Sequence, residues 1–188
     1  MKKRNFFSPA CNWTRYSLPL LMVIPVIFTP AWSSGETALP DETANSVHTI
    51  VNGIVSYTRW PQLNGLPRLC ILSSATWARE LAQPRDKPAY FPVPVENTDQ
   101  ALLARCDAVY FGRESIEQQV QLREKYHGKP QLYIAEQNPE CSAGSAFCLN
   151  IAGKKVSFSV NLDSLSRGGV RVSPDVLMLA RARKNNDE

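Results

Sequence analysis

The chain has 188 residues, of which 44% are hydrophobic and 20% are charged. This composition is typical of one globular domain and excludes a disordered chain, which combines few hydrophobic residues with a high net charge. The formal net charge of +4 comes entirely from residues 1–33, which hold four basic residues and no acidic one. The rest of the chain is neutral and therefore lacks the positive surface expected of a nucleic-acid-binding protein.

The N-terminal segment has the pattern of a signal peptide. It begins with three basic residues and continues with an apolar run over residues 18–28, shorter than the roughly 20 residues that span a bilayer. Ala31 and Ser33 are small residues at the two positions that a signal peptidase reads. We expect cleavage after Ser33, so that residues 1–33 are removed and residues 34–188 form one periplasmic domain. An uncleaved membrane anchor is the alternative interpretation.

Four cysteines remain in the mature part of the chain: Cys70, Cys106, Cys141 and Cys148. An even number of cysteines in an exported protein predicts two disulfides, and four cysteines allow three pairings. A zinc site is the competing interpretation, but the spacings are wide and neither histidine lies near a cysteine pair. We therefore expect disulfides, with no metal and no cofactor.

The first predicted element is an amphipathic helix within residues 41–60, because apolar residues recur there at helical spacing and Pro61 follows. Its apolar residues cover an arc of about 160°, whereas a simple surface helix needs only roughly 100°. The later patterns predict strands, helices and one hairpin in the following order: strand 68–73, helix 76–83, a proline-rich edge segment 84–94, strand 107–112, helix 115–128, strand 131–136, hairpin 147–160, a short helix capped by Asn161, and a last helix opened by Ser173. This order predicts a single three-layer α/β domain with a mixed central sheet flanked by helices.

The chain carries no motif of a known catalytic or nucleotide-binding site. Glu136 and Glu140 are near neighbours in sequence, but they are explained equally well as solvated loop charges. We therefore expect that the protein is not an enzyme.

Two apolar segments are candidates for contact with another chain. The first is the predicted first helix, where Ile50 and Ile54 form the centre of a proposed dimer interface; further candidates around it are Val55, Tyr57 and Trp60. The second is the last helix, which is apolar on every side and contributes Val176, Leu177 and Leu179. Complete burial is the alternative for each residue, but an exposed apolar patch indicates a partner.

Five segments together resemble one family. They are VNGIVSYTRWP (51–61), CDAVYFG (106–112), LYIAEQNPECSAGSAFCLNI (132–151), VSFSVNLDSLSRGGV (156–170) and SPDVLMLAR (173–181). In this order, with the four cysteines and the signal peptide, they are similar to the YfiR/HmsC-like family. One departure is Gly53, at a position where the family usually has an aromatic residue.

The resemblance implies a periplasmic negative regulator. Such proteins bind the periplasmic domain of the inner-membrane diguanylate cyclase YfiN and hold it inactive, which limits cyclic-di-GMP and biofilm formation. The outer-membrane lipoprotein YfiB sequesters them and so releases the cyclase. The resemblance also implies the disulfide pairing Cys70–Cys106 and Cys141–Cys148.

Two other functions remain open at this point. One is a periplasmic sensor domain that binds a small molecule in an apolar cleft, with Trp60 or Trp77 stacking on the ligand. The other is an enzyme whose site the sequence does not reveal.

Overall fold

The fold is described by a computed structural model for residues 42–83, 85–126 and 128–181. The predicted signal peptide lies outside these residues. The elements, in chain order, are α1 (Glu42–Ser56), β1 (Thr58–Arg59), β2 (Arg68–Leu72), α2 (Ala78–Leu81), β3 (Phe91–Val95), α3 (Thr98–Ala104), β4 (Ala108–Phe111), α4 (Ile116–Lys125), β5 (Leu132–Ala135), β6 (Phe147–Ala152), β7 (Lys155–Val160), α5 (Leu162–Arg167), β8 (Arg171–Val172), a 3₁₀ helix (Pro174–Leu177) and α6 (Met178–Arg181).

A six-stranded sheet forms the middle layer, in the order β3-β2-β4-β5-β6-β7. The strands from β3 to β6 run parallel, whereas β6 and β7 form an antiparallel hairpin. Gly153 allows the tight turn of this hairpin because it adopts a φ of 57°. The mixed sheet confirms the predicted fold class.

Helices cover both faces of the sheet. Successive residues of a strand point to opposite faces, and in β2 both sets are buried: Leu69 and Ile71 pack in one core, and Cys70 and Leu72 in the other. The first core is closed by α1 and α2, and the second by α3 and α4. The domain therefore has three layers.

The apolar arc of α1 is wide because several elements surround this helix. Val47 and Ile54 are completely buried against the sheet core, and His48 lies beside Tyr90 with their ring centres 6.3 Å apart. At Gly53 the helix meets the C-terminal segment so closely that an added Cβ would lie 2.6 Å from Cδ1 of Leu179. The helix thus uses almost its whole circumference inside the domain.

The sequence predicts some helices better than others. The start of α4 is as expected, because Ser115 and Gln118 form a reciprocal capping box. The helix predicted at 76–83 is reduced to the single turn of α2, and the last helix begins as a 3₁₀ turn. Helix α3, whose N-cap is Asn97, was not predicted.

The two edges of the sheet differ. In β3 the N–H of Phe91 donates inward to the carbonyl of Pro67 at 2.8 Å. Because backbone direction alternates along a strand, positions 92 and 94 direct their N–H and C=O sides away from β2. Both positions are prolines, Pro92 and Pro94. Proline has no N–H to offer to another strand, so this edge cannot be extended by regular pairing. Strand β7 at the other edge contains no proline.

No helix within residues 42–83, 85–126 and 128–181 is both long and apolar enough to cross a membrane.

Candidate interaction surface

Two disulfides connect the four cysteines of the domain. Cys70 in β2 is joined to Cys106, which lies just before β4, and Cys141 is joined to Cys148 in β6; the Cα atoms are 5.7 Å apart in both pairs. Of the three pairings that the sequence leaves open, this is the one that the resemblance implies. The first bond links neighbouring parts of the sheet, and the second closes a loop next to the hairpin.

The carboxyl end of the sheet is closed where ligands usually bind an α/β domain. The strand order reverses at β2 and β4, and in open sheets the ligand crevice lies outside such a point. Here the chain after β2 fills that position, because a Cβ at Gly112 would collide with the backbone of Ala75. The Glu136 carboxylate fixes this chain by accepting from the N–H of Thr76 at 2.6 Å and from the Tyr110 hydroxyl at 3.0 Å.

The interpretation of Glu136 as a solvated loop charge is wrong, because the structure buries this side chain. One of its oxygens accepts from the loop and the other from Tyr110 of β4, so the carboxylate has a structural role in this arrangement. Within the described residues, no group of three or more His, Cys, Asp or Glu side chains is placed to hold a metal ion.

The proposed centre of the dimer interface is part of the core. Ile54 is 0% exposed and Ile50 is 2% exposed, and Val55 is buried with them in the core cluster beneath α1. The prediction of an exposed apolar face at these residues is therefore wrong. The physical reason is that the sheet, α2 and the C-terminal segment together cover the whole arc that the sequence assigned partly to a partner.

Tyr57 and Trp60 are both half-buried after the end of α1. The indole N–H of Trp60 donates to the carbonyl of Asp107 at 2.9 Å, so this side chain anchors the segment after the helix to the start of β4. Trp77 is likewise half-buried against the first core. The proposed roles of Tyr57 and Trp60 in contacting a partner remain predictions.

The C-terminal turn, defined here as residues 174–179, is the predicted apolar segment that reaches the surface. Val176 is buried and Leu179 packs partly into the core, but Leu177 is 50% exposed. Its neighbour Met178, which the sequence did not single out, is 53% exposed. The turn therefore presents two adjacent apolar side chains to the outside.

Backbone pairing fixes the start of this turn against the end of α1. Strands β1 and β8 form a short antiparallel pair, in which Thr58 is opposite Val172. The N–H of Ser173 then donates to the carbonyl of Tyr57 at 3.0 Å, and the Ser173 hydroxyl caps the 3₁₀ helix. Leu177 and Met178 thus follow a segment whose backbone is hydrogen-bonded to the end of α1 and to β1.

Two shallow clefts lie on either side of Trp60. One has a volume of about 350 Å³ and also includes Val55 and Leu66, and the other has a volume of about 290 Å³ and includes Lys129. Leu66 and Phe91 are apolar residues whose exposure the sequence pattern does not predict. The sequence indicates the exposure of Leu66 only through its position between Gly65 and Pro67, two residues that are typical of a loop.

A polar group borders α1 on the side of β3. Arg85 pairs with Glu80 and also donates to the Asn45 side chain at 3.3 Å. Burial, together with the neighbouring positive charge of Arg85, lowers the pKa of His48 from its usual value of 6.5, while Glu80 acts in the opposite direction. His48 is therefore held in its neutral form more strongly than a histidine in solution.

These observations describe a disulfide-bonded three-layer α/β domain with a filled crevice at the carboxyl end of its sheet and an apolar turn at its surface. The YfiR/HmsC-like family model matches residues 45–181, and the chain belongs to this family. Membership places the protein among periplasmic regulators of YfiBNR-type signalling systems in general, and two disulfides fit the oxidising conditions of that compartment.

Proposed function

We propose that the protein is a periplasmic repressor that binds the periplasmic domain of a YfiN-like diguanylate cyclase and keeps the cyclase inactive. A YfiB-like outer-membrane lipoprotein sequesters the repressor and thereby releases the enzyme. The result of repression is less cyclic-di-GMP and less biofilm. The protein itself catalyses no reaction in this proposal and acts by binding one state of the cyclase more tightly than another.

The observation that carries the proposal is the exposed pair Leu177 and Met178 on a domain of the YfiR/HmsC-like family. Adjacent apolar side chains that are half exposed favour contact with another protein. The turn that bears them is fixed by the β1–β8 pair, so little order would be lost when a partner binds. The proposed mature domain is residues 34–188, which contains all of this surface.

Leu177→Lys tests the proposed surface. We expect this variant to remain folded, to lose binding to the purified periplasmic domain of the cyclase, and to raise cyclic-di-GMP in cells. Leu103→Lys is the matched control, because Leu103 is 82% exposed on α3, which covers the opposite face of the sheet. Equal binding by both variants would exclude the C-terminal turn as the cyclase-binding surface.

Export is tested separately by the intact mass of the protein recovered from the periplasm. We expect a chain that begins at Ser34. A periplasmic species that retains residues 1–33 would exclude the proposed cleavage.

A second candidate function is a periplasmic small-molecule sensor, which the position of Trp60 between two clefts favours. A thermal-shift screen with amino acids and aromatic metabolites distinguishes this function. A specific shift in the wild type that disappears in Trp60→Leu would support the sensor, whereas a repressor that acts only through proteins should show none.

A further inference from the structure

The outer edge of β7 carries backbone groups that have no partner in the described part of the chain. The N–H of Asn161 donates to the carbonyl of Ala146 at 2.9 Å, directly beyond the last pair of the hairpin. Hydrogen-bonded pairs alternate along an antiparallel ladder. The pairs that bond within the hairpin are therefore Ser159 with Cys148, Ser157 with Asn150, and Lys155 with Ala152.

It follows that Val156, Phe158 and Val160 direct their N–H and C=O groups away from β6. None of the described residues donates to or accepts from these six groups. An edge of this kind is a template for another strand. Strand β3 at the other edge has prolines at its two outward positions, so β7 is the edge of this sheet that regular pairing can extend.

The sequence of β7 indicates which strand would fit. Residues 156–160 read Val-Ser-Phe-Ser-Val, which is the same in both directions about Phe158. A two-fold axis at Phe158 would place two copies antiparallel, with Val156 opposite Val160 of the other copy and Phe158 opposite its own equivalent. Valine then meets valine, serine meets serine and phenylalanine meets phenylalanine across the axis, and each contact off the axis occurs twice, as in any two-fold interface.

The pairing also agrees with the charges and faces of the strand. The same axis places Lys155 opposite the uncharged Asn161 of the other copy, so no like charges are opposed. The side chains of Val156, Phe158 and Val160 all belong to the core beneath α1, where Phe158 lies 5.7 Å from Phe147 between ring centres. Joining two copies would bring the two Phe158 side chains together on one face of a continuous sheet.

We propose that the protein forms a two-fold dimer by antiparallel pairing of β7 with β7 of a second copy, centred on Phe158. Six backbone hydrogen bonds would form, two for each opposed pair of outward residues. This interface replaces the buried centre at Ile50 and Ile54, and it uses no residue of the C-terminal turn. The proposal does not depend on the repressor function, because it concerns the protein alone.

Val160→Pro tests the edge directly. This change removes an N–H that makes no hydrogen bond within the hairpin. In the proposed dimer the same N–H donates to Val156 of the other copy, so the substitution removes two hydrogen bonds, one from each chain. We expect a dissociation constant at least about 30-fold higher than that of the wild type in sedimentation experiments. Val160→Ala is the matched control, since it removes the same side chain but keeps the N–H, and it should remain dimeric.

Cysteine cross-linking tests the register without relying on a proline. Ser157 would lie opposite Ser159 of the other copy in a non-hydrogen-bonded pair, with Cα atoms about 4.5 Å apart, which a disulfide can bridge. A mixture of Ser157→Cys and Ser159→Cys chains should therefore form a mixed disulfide dimer in much higher yield than either variant alone. Ser166→Cys on α5 serves as the exposed control.

Several outcomes would overturn the proposal. One is a wild-type chain that stays monomeric at the highest concentration reached. Another is a folded Val160→Pro chain that dimerises as well as Val160→Ala. Dissociation by Leu177→Lys with no effect of Val160→Pro would place the dimer interface at the C-terminal turn instead, and cross-linking with no preference for the mixed pair would exclude the Phe158 axis.

Discussion

Helix α1 and the C-terminal turn are both more apolar than a simple surface element needs to be, yet the structure buries them to different degrees. Ile54 in α1 is completely buried, whereas Leu177 in the turn is half exposed. The helix is long and lies among the sheet, α2 and the C-terminal segment. The turn has only a few residues, and they point in several directions. Val176 and Leu179 pack against the core, whereas Leu177 and Met178 point away from it. A wide apolar arc on a helix therefore indicates that several elements pack around it. It does not by itself indicate contact with another chain.

The largest expected effect comes from placing the same charge in each region. Ile54→Lys puts an ammonium group into the apolar core cluster, and we expect a loss of more than about 4 kcal/mol in the free energy of unfolding. Leu177→Lys should change the same quantity by less than about 0.5 kcal/mol because its side chain can stay in water.

Urea unfolding followed by circular dichroism measures both variants. A folded, stable Ile54→Lys chain that has become monomeric would show that α1 is an interface after all, and it would reverse the comparison.

A smaller effect is expected where the two regions touch. Gly53→Ala should gain about 1 kcal/mol from helix propensity, but the new methyl group collides with Leu179. We therefore expect Gly53→Ala to be neutral or destabilising in the wild type, and to be stabilising by about 1 kcal/mol in a Leu179→Ala background.

A double-mutant cycle gives this coupling from four unfolding curves. Additive changes would mean that α1 and the C-terminal turn are not in direct contact at Gly53. The Leu179 side chain occupies the space that a residue larger than glycine would need at position 53.

The anchor after α1 should have an effect of similar or smaller size. Trp60→Phe keeps most of the apolar contact but leaves the Asp107 carbonyl without its indole partner. We expect a loss of about 1 kcal/mol in the free energy of unfolding, with dimerisation unchanged. Thermal unfolding of the two chains provides the measurement, and an unchanged Trp60→Phe chain would mean that this hydrogen bond does not stabilise the fold.

The smallest effect concerns pH and is restricted to α1. Burial lowers the pKa of His48, so the unfolded chain binds a proton more readily than the folded one. Stability should therefore fall as the pH decreases below about 6.5, and the fall should end below the lowered pKa of the folded state. His48→Gln should reduce this dependence between pH 7.5 and pH 5, as read from Tm, whereas Leu177→Lys should keep it.

The sequence predicts the sheet well because strands and caps carry local signals. The hairpin has a glycine in its turn, and α4 begins with a capping box that the structure reproduces. Helix α3 was missed because its signal is weak, with only an Asn97 cap and a short stretch in which Ala101 alone is fully buried. The pair of β1 and β8 has two residues in each strand and joins distant parts of the chain, so no local pattern marks it.

Burial was harder to predict than secondary structure. Nothing in the periodicity of α1 distinguishes a residue facing a partner from Val55 facing its own core, because both must be apolar. Likewise, the exposure of Met178 depends on which neighbours reach the turn, which is decided by tertiary packing. The disulfide pairing was accessible only through the family resemblance, because spacing alone leaves three choices.

The prolines of β3 have a consequence for how far association can proceed. A sheet with two open edges can add further copies without limit, as in a filament, whereas a sheet with one open edge is used up after a single pairing. Pro92 and Pro94 occupy both outward positions of β3. If β7 is the joining edge, the product has a blocked strand at each end, and the stoichiometry stops at two even at the high local concentrations of a crowded envelope.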